Sequence, residues 1–262
     1  MTEVVQRTVQ DGVALLTLNR PERLNAWTAE LGHAYFDLLE ECARTADVRV
    51  IVVTGAGKGF CAGADMQELK ALGEGDLDGV SVVADERPQS FPLSIEKPII
   101  AAINGACAGL GLVQALMCDI RFVAAGAKLT TAFSRRGLVA EHGISWILPR
   151  LVGPARALDL LLSGRVVLGE EAAALGLVNR VLEPEKLLET TLAYARDLAV
   201  NCSPASMASM KRQVYADLTC GLPDALTEAN RLMVESFSAP DFVEGVASFL
   251  ERREPRFGPL AH

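Results

Sequence analysis

The chain has 262 residues, of which 50% are hydrophobic and 22% charged, so we expect one large domain, or one domain with an appendage, around a sizeable core. The formal net charge of -8 leaves no long basic stripe of the kind that nucleic-acid binding needs. The six cysteines are scattered without a CxxC pair and the chain has three histidines, so neither a disulfide framework nor a metal site is signalled.

Nothing in the sequence signals a membrane or an export route. The N-terminal stretch MTEVVQRTVQDG lacks an apolar signal core, and no run reaches the roughly 18 apolar residues of a membrane-spanning helix. We therefore expect a soluble cytoplasmic protein with reduced cysteines, with no membrane association and no nucleic-acid partner.

The first half of the chain alternates between short apolar runs and helical periodicity. Residues Val13–Leu18 (VALLTL) form an apolar run that stops before Pro21, which predicts a strand followed by a loop. Residues 28–45 repeat apolar side chains at intervals of three and four, the pattern of an amphipathic helix. Further predicted elements follow in alternation, at residues 50–54 (strand), 98–103 (strand), 109–118 (helix) and 120–125 (strand). Strands that alternate with helices predict an α/β fold.

Two later regions break this alternation. Residues 73–89 are rich in glycine and acidic side chains and lack periodicity, which predicts a mobile loop. After about Asn179 the sequence is helical throughout, in three segments that each begin near a proline. We expect a core over residues 1–195 and a helical C-terminal region over residues 196–262, whose apolar faces pack on a partner subunit.

Two glycine-rich stretches, GFCAGADMQEL and INGACAGLGL, each lead from a strand into a helix. In the first, Asp65 is placed as the N-cap, and Glu68 three residues later approaches the capping-box pattern. Each helix start leaves backbone N–H groups without intrahelical partners, and glycine lets them approach a ligand closely. Two such helix starts facing one point would form an oxyanion hole, suited to a thioester carbonyl whose oxygen gains negative charge. The alternative is that the glycines only permit tight packing of strand on helix.

Four stretches carry a resemblance to a known family: RPERLNAW, GFCAGADMQEL, KPIIAAINGACAGLGLVQALMCDIRFVA and LPRLVGPARALDLLLSGRVVLGEEAAALGLVNRV. Together, from about Val13 to Phe257, they resemble the enoyl-CoA hydratase/isomerase (crotonase) superfamily. The resemblance implies a crotonase-like spiral of ββα units with a helical C-terminal trimerisation region. It also implies a homotrimer or hexamer and an acyl-CoA thioester substrate, with no cofactor because CoA is part of the substrate.

The resemblance also implies which residues form the site. The oxyanion donors would be the backbone N–H groups of Ala64 and Leu110. Other residues would border the substrate and its CoA, namely Arg23, Leu24, Ala62, Gly63, Asp65, Met66, Gln67, Gly109, Val113 and Phe133. Phe257 would reach the CoA that a neighbouring subunit binds. No metal ion is implied.

The sequence departs from the hydratases of the superfamily where they carry two catalytic glutamates. Those positions hold Val113 and Phe133, which cannot transfer a proton, whereas hydration asks one group to activate water and another to supply a proton. Glu141, in GLVAEHGISW, stands where hydratases carry glycine and where several double-bond isomerases carry an Asp or Glu. One carboxylate suffices for isomerisation, because it can take a proton from one carbon and return it to another.

Three functions are compatible with these residues. The favoured one is an enoyl-CoA double-bond isomerase with Glu141 as its single acid/base group. The alternatives are a 2-enoyl-CoA hydratase that uses Glu141 alone and a catalytically silent acyl-CoA-binding member, in which Glu141 only stabilises a helix N-terminus by about 0.3–1 kcal/mol. His142 is interpreted as structural, with a proton partner of Glu141 as the alternative. Further residues are interpreted as surface or packing residues: Arg135, Arg136, Trp146, His33 and Asp119.

Overall fold

Two sheets and ten α-helices make up residues 3–73 and 87–260, the part of the chain that the computed structural model describes. The strands are β1 (Val5–Gln10), β2 (Val13–Leu18), β3 (Val50–Gly55), β4 (Gly59–Cys61), β5 (Ile99–Ile103), β6 (Ala106–Ala108), β7 (Ile120–Ala124), β8 (Lys128–Thr130), β9 (Val167–Leu168) and β10 (Arg180–Leu182). The helices are α1 (Ala29–Arg44), α2 (Met66–Gly73), α3 (Leu110–Leu116), α4 (Ile144–Val152), α5 (Pro154–Ser163), α6 (Gly169–Leu175), α7 (Pro184–Asn201), α8 (Pro204–Asp217), α9 (Leu222–Ser236) and α10 (Pro240–Glu251). Residues 74–86, most of the predicted loop at 73–89, lie outside the described residues.

The larger sheet has six strands in the order β1-β2-β3-β5-β7-β10 and is parallel except for the β1–β2 pair. Strands β3 and β5 are buried at every residue. Parallel strands covered on both faces read as continuous apolar runs, which is why these two were predictable. Strand β1 lies at the edge of the sheet, and its sequence VQRTVQ is largely polar and exposed. It contains no apolar run from which a strand could be predicted.

The smaller sheet has the order β4-β6-β8-β9, and its strands are two or three residues long. Successive passages of the chain add a strand to the larger sheet, a short strand to the smaller sheet and then a helix: β3–β4–α2, β5–β6–α3 and β7–β8–α4. This repeated ββα unit winds as a spiral, so the predicted α/β fold is confirmed. Because β4 and β6 end next to each other, the two following helices begin side by side.

The long helix α7 packs on the larger sheet, although part of it lies in the predicted C-terminal region. It packs on β2, β3, β5 and β7 through buried side chains that include Leu187 and Ala195. The predicted boundary between residues 195 and 196 falls inside this helix. No helix in the described part of the chain is long and apolar enough to span a membrane.

A buried ion pair fixes α8 to the end of the larger sheet. The Lys211 ammonium lies 2.8 Å from a carboxylate oxygen of Asp119, and their side chains are 7% and 17% exposed. Asp119 also accepts hydrogen bonds from the Ile99 N–H at 2.7 Å and the Tyr215 hydroxyl at 3.0 Å. The interpretation of Asp119 as structural therefore has a physical basis, because its carboxylate joins a strand end to a helix of the C-terminal region.

Replacing Lys211 by methionine would leave the Asp119 carboxylate buried without its cation. We expect the variant to lose about 2 kcal/mol of unfolding free energy, the scale for stranding a buried charged acceptor. Chemical denaturation followed by circular dichroism measures this loss. The neighbouring Arg212 is a matched control, because its pair with Glu96 has side chains 60% and 37% exposed. Arg212→Met should cost less than about 1 kcal/mol; equal losses in the two variants would contradict the account.

Candidate active site

The two glycine-rich turns lie against each other at the ends of β4 and β6. A Cβ built on Gly63 would meet the Ala108 carbonyl oxygen at 2.8 Å, and one built on Gly111 would meet the Cys61 carbonyl oxygen at 2.2 Å. Any side chain at either position would push the turns apart. The glycines therefore allow the two turns to approach closely. This agrees with the alternative interpretation, in which the glycines permit tight packing of strand on helix.

Each of the two helix starts leaves backbone amides free. Within residues 3–73 and 87–260, the N–H groups of Ala64 and Leu110 are among those without a hydrogen-bond partner, and both residues line one cavity. Two hydrogen bonds hold the turns in place: the Trp27 N–H donates to the Gly63 carbonyl at 2.8 Å, and the Gly109 N–H donates to the Thr130 carbonyl at 3.0 Å. The free amides are therefore donors on a rigid backbone, which is the requirement for an oxyanion hole.

Gly109 sets the direction of the Leu110 amide. Its φ of 49° and ψ of −121° are accessible to glycine and costly for a residue with a Cβ. A Cβ there would have room, since its nearest contact is the Thr131 carbonyl oxygen at 3.8 Å. Glycine at this position is thus required by the backbone conformation, not by crowding.

Asp65 caps the helix that follows the first turn, as predicted. One carboxylate oxygen accepts from the Gln67 N–H at 3.0 Å, and the other accepts from the Arg20 guanidinium at 3.1 Å. The hydrogen bond from the Gln67 amide and the Arg20 charge lower the pKa of Asp65 below its usual value. Its carboxylate is therefore ionised and committed to structure.

The capping box predicted for Glu68 does not form. The Glu68 carboxylate accepts from the Ala29 N–H at 3.3 Å, whereas the Asp65 N–H donates to the Trp27 carbonyl. The isolated bridge between Trp27 and Ala64 occupies the Asp65 amide, so Glu68 turns to the start of α1 instead. Burial raises the pKa of Glu68 above its usual value.

A cavity of about 700 Å³ opens beside the two free amides. Most of the predicted site residues lie on its wall: Arg23, Ala62, Gly63, Ala64, Asp65, Met66, Gln67, Gly109, Leu110, Phe133 and Glu141. Phe133 is 5% exposed and adds an aromatic ring at a position where the resemblance implies a carboxylate in hydratases. This part of the wall is therefore apolar.

Three predicted site residues lie elsewhere. Val113 is 0% exposed in α3 and packs in the core, because this helix is buried at every residue. Leu24 is half exposed, and its carbonyl accepts a hydrogen bond from the Ala62 N–H at 3.0 Å. It therefore stabilises the first glycine-rich turn through its backbone. Phe257 lines a separate groove between α8, α9 and α10, and its carbonyl accepts from Arg49 at 2.7 Å.

Glu141 lies on the cavity wall two residues before the Gly143 N-cap of α4. Its side chain is 31% exposed, and burial raises its pKa above the usual value. The adjacent His142 also lines the cavity; its side chain is 11% exposed, and burial lowers its pKa. The Glu141 carboxylate and the His142 imidazole approach to 3.6 Å.

Several residues of the wall were not among the predicted site residues: Ala26, Glu68, Leu69, Thr131, Ala132, Arg136, Leu138 and His142. Arg136 was interpreted as a surface residue, and it is exposed, but it borders the cavity from the single helical turn Ser134–Arg136. Its position could have been predicted from its spacing of three residues from Phe133, because side chains three apart in a 3-10 turn lie on the same side. Among the described residues there is no group of three or more potential metal ligands.

The fold matches solved structures over nearly the whole chain. The crystal structure of an enoyl-CoA hydratase from Bacillus anthracis superposes with a TM-score of 0.92 at 28% identity, covering 97% of this chain and 99% of that one. An enoyl-CoA hydratase from Mycobacterium marinum shares 50% identity with a TM-score of 0.72, covering 84% of this chain and 100% of that one.

The sequence profile of the family described as enoyl-CoA hydratase/isomerase matches residues 8–259. The chain is 36% identical over 261 residues to the 1,2-epoxyphenylacetyl-CoA isomerase of Escherichia coli, covering 98% of this chain and 99% of that protein. It is also 36% identical over 258 residues to a probable enoyl-CoA hydratase of Rhodobacter capsulatus, covering 97% of each. The chain therefore belongs to the enoyl-CoA hydratase/isomerase family, and the predicted resemblance is confirmed.

Proposed function

We propose that this protein is an enoyl-CoA double-bond isomerase that stabilises an enolate in an oxyanion hole and moves the proton with Glu141. The observation that carries the proposal is one cavity lined by both free amides, Ala64 and Leu110, and by a half-buried carboxylate with a raised pKa. The reaction consumes no cofactor, because the CoA belongs to the acyl-CoA substrate.

The chemistry divides into two proton transfers. Glu141 removes a proton from the α-carbon of a 3-enoyl thioester, and the electron pair of that C–H bond moves through the carbonyl onto its oxygen. The amides of Ala64 and Leu110 donate hydrogen bonds to this oxygen while the dienolate lasts. Glu141 then returns the proton to the γ-carbon, the double bond moves to the 2-position and the carbonyl re-forms. The proton that Glu141 takes from the α-carbon is the one that it returns to the γ-carbon, so the reaction has no net change in protons or charge.

The environment of Glu141 suits this task. A carboxylate that moves a proton to and from carbon works best when its pKa lies near the working pH, and burial shifts the pKa of Glu141 in that direction. The other two carboxylates on the wall, Asp65 and Glu68, are each held by a backbone N–H. Glu141 is therefore the carboxylate best placed to meet a substrate.

The names of the relatives support two reactions. The relative from Escherichia coli is named a 1,2-epoxyphenylacetyl-CoA isomerase, which is a different isomerisation from the one proposed here, whereas relatives from Rhodobacter capsulatus and Bacillus subtilis are named probable enoyl-CoA hydratases. Phe133 on the cavity wall and Val113 in the core remove the paired carboxylates that hydration ordinarily uses, which favours the isomerase. Hydration with Glu141 alone is the second candidate.

Incubating the protein with 3-enoyl-CoA and 2-enoyl-CoA in turn tests the proposal. We expect the two positional isomers to interconvert and no 3-hydroxyacyl-CoA to accumulate, as followed by liquid chromatography and mass spectrometry. Accumulation of the 3-hydroxy product would replace the isomerase by the hydratase. Binding of both thioesters without reaction would replace it by a silent acyl-CoA-binding member.

We also propose that the chain assembles as a homotrimer or hexamer through its C-terminal helices. Large apolar side chains on α9 and α10 are exposed in the single chain: Leu222, Leu226, Met233, Val234, Phe242, Val243, Val246, Phe249 and Leu250. Contiguous apolar surface of this kind marks an interaction site. Sedimentation velocity at micromolar concentration should therefore give the mass of three or six chains, and a stable monomer would contradict this proposal.

A further inference from the structure

Two neighbouring side chains, Glu141 and His142, share the cavity wall. In an extended segment, consecutive side chains point to opposite sides. Here His142 has a φ of 55° and Gly143 a φ of 81°, so two left-handed residues in succession reverse the chain just before α4. The reversal brings the imidazole and the carboxylate to the same cavity.

Local contacts fix this reversal. The Ile144 N–H donates to the Glu141 carbonyl at 3.0 Å, which closes the turn. The side chain of Met117, the residue that caps the C-terminus of α3, lies 3.6 Å from the position that a Cβ on Gly143 would take. Histidine adopts the left-handed conformation more readily than most residues with a Cβ, so the turn accepts it. In this conformation the imidazole lines the cavity beside the Glu141 carboxylate.

The distance between the two groups indicates what the imidazole does. At 3.6 Å, the His142 Nε2 and the Glu141 Oε2 are too far apart for a hydrogen bond and close enough for an ion pair. A neutral imidazole therefore leaves the carboxylate free to turn to a substrate. A protonated imidazole attracts the carboxylate, and water screens this attraction only in part because the two side chains are 11% and 31% exposed.

We propose that His142 is a positioning residue for Glu141: while neutral it packs beside the carboxylate and leaves it facing the substrate, and when protonated it captures the carboxylate in an ion pair. This inference rests on the proposed function, because it gives Glu141 the proton transfer. His142 itself need not touch the substrate.

The other charged groups on the wall do not replace this pair. Asp65 is held by the Gln67 amide and Glu68 by the Ala29 amide. The Arg136 guanidinium points to the Ala132 carbonyl at 3.4 Å, and Arg23 borders the cavity beside the first turn. Among the described residues, the ion-pair contact of Glu141 is with His142.

The pair predicts a particular pH dependence. Activity needs Glu141 ionised and His142 neutral. Burial raises the pKa of Glu141 and lowers that of His142, whereas an ion pair alone would shift each pKa in the opposite direction, so burial has the larger effect on both groups. The two groups therefore titrate closer together than usual, and both gain a proton as the pH falls. Activity is then full above both pKa values, and on the acid side log kcat/KM should fall with a slope of about two instead of about one.

The first test is the pH profile of α-proton exchange for the wild type and His142→Asn. Asparagine tolerates a left-handed backbone, so the turn should persist. We expect the acid limb to flatten from a slope of about two to about one and KM to change less than about twofold. His33→Gln, in α1 and outside the cavity wall, is the control and should keep the wild-type profile. A uniform loss at every pH with an unchanged limb would mean a merely structural His142 and overturn the proposal.

The second test does not depend on activity. Histidine side-chain resonances are titrated by nuclear magnetic resonance in the wild type and in Glu141→Gln, with His142→Asn used to assign the signal. We expect Glu141→Gln to lower the pKa of His142 further, because the imidazolium loses its carboxylate. An unchanged pKa would overturn the pairing. If no thioester reacts with the wild type, the proposed function and the catalytic role of His142 fail, while this titration still decides the pairing.

Discussion

Glu141→Gln is expected to lose about 10²-fold or more of the isomerisation rate, the typical contribution of a positioned acid/base group. Glutamine keeps the length of the side chain and its hydrogen-bonding reach, but its amide cannot accept a proton from carbon. The variant should bind acyl-CoA about as well as the wild type, because the turns that face the cavity are unchanged. Steady-state kinetics and calorimetric titration measure the two quantities separately.

A second cavity glutamate offers a matched comparison. Glu68→Gln removes one negative charge from the same wall, but its carboxylate is held by the Ala29 amide at 3.3 Å. We expect it to lose less than about tenfold of the rate, since no proton transfer passes through it. Equal losses of rate in the two variants would mean that the reaction needs negative charge in the cavity and does not need Glu141 as a base. Full activity in Glu141→Gln would make Glu141 a helix-end residue.

Gly109→Val is expected to lower kcat by about 10²–10³-fold, the scale for one lost oxyanion donor. A β-branched residue cannot hold a φ of 49° with a ψ of −121° without strain, so the turn must move. The Leu110 amide, which follows directly, then leaves its position beside the Ala64 amide. Thioester affinity should fall as well, because the same amide contacts the ground-state carbonyl.

Gly126→Val separates this effect from general strain. Gly126 also has a left-handed backbone, with a φ of 72°, and no atom lies within 4 Å of a Cβ placed there. It is absent from the cavity wall, so its variant should lose stability and keep the rate. Thermal unfolding and kcat are compared for both variants. A folded Gly109→Val that retains full rate and affinity would place the site elsewhere.

Periodicity and turn chemistry predicted the main elements of this fold. Strands β3 and β5 were readable because burial on both faces makes every residue apolar, and α1 because its buried stripe recurs at three and four. The edge strand β1 and the three-residue strands of the smaller sheet were not readable. The first is exposed and polar, and the others are too short to show a period.

The site was predictable where backbone chemistry defines it and not where side-chain direction does. Strand–turn–helix patterns in the sequence predicted two helix starts with free amides, and the family resemblance then implied Ala64 and Leu110 as the donors. The burial of Val113 depends on which face of α3 meets the core, and α3 is buried on every face. The position of His142 on the wall depends on its left-handed backbone conformation, which could not be predicted from the residue type.

Exchange of the α-protons of a saturated acyl-CoA in heavy water shows whether Glu141 removes a proton from carbon while the oxyanion hole holds the enolate. A saturated thioester can be neither hydrated nor isomerised, so deuterium enters its α-carbon only if a base removes a proton and the enolate is stabilised. Mass spectrometry should show deuterium incorporation with the wild-type protein and a loss of about 10²-fold in rate with Glu141→Gln. Equal incorporation by both proteins, or none by the wild type at saturating thioester, would contradict the account.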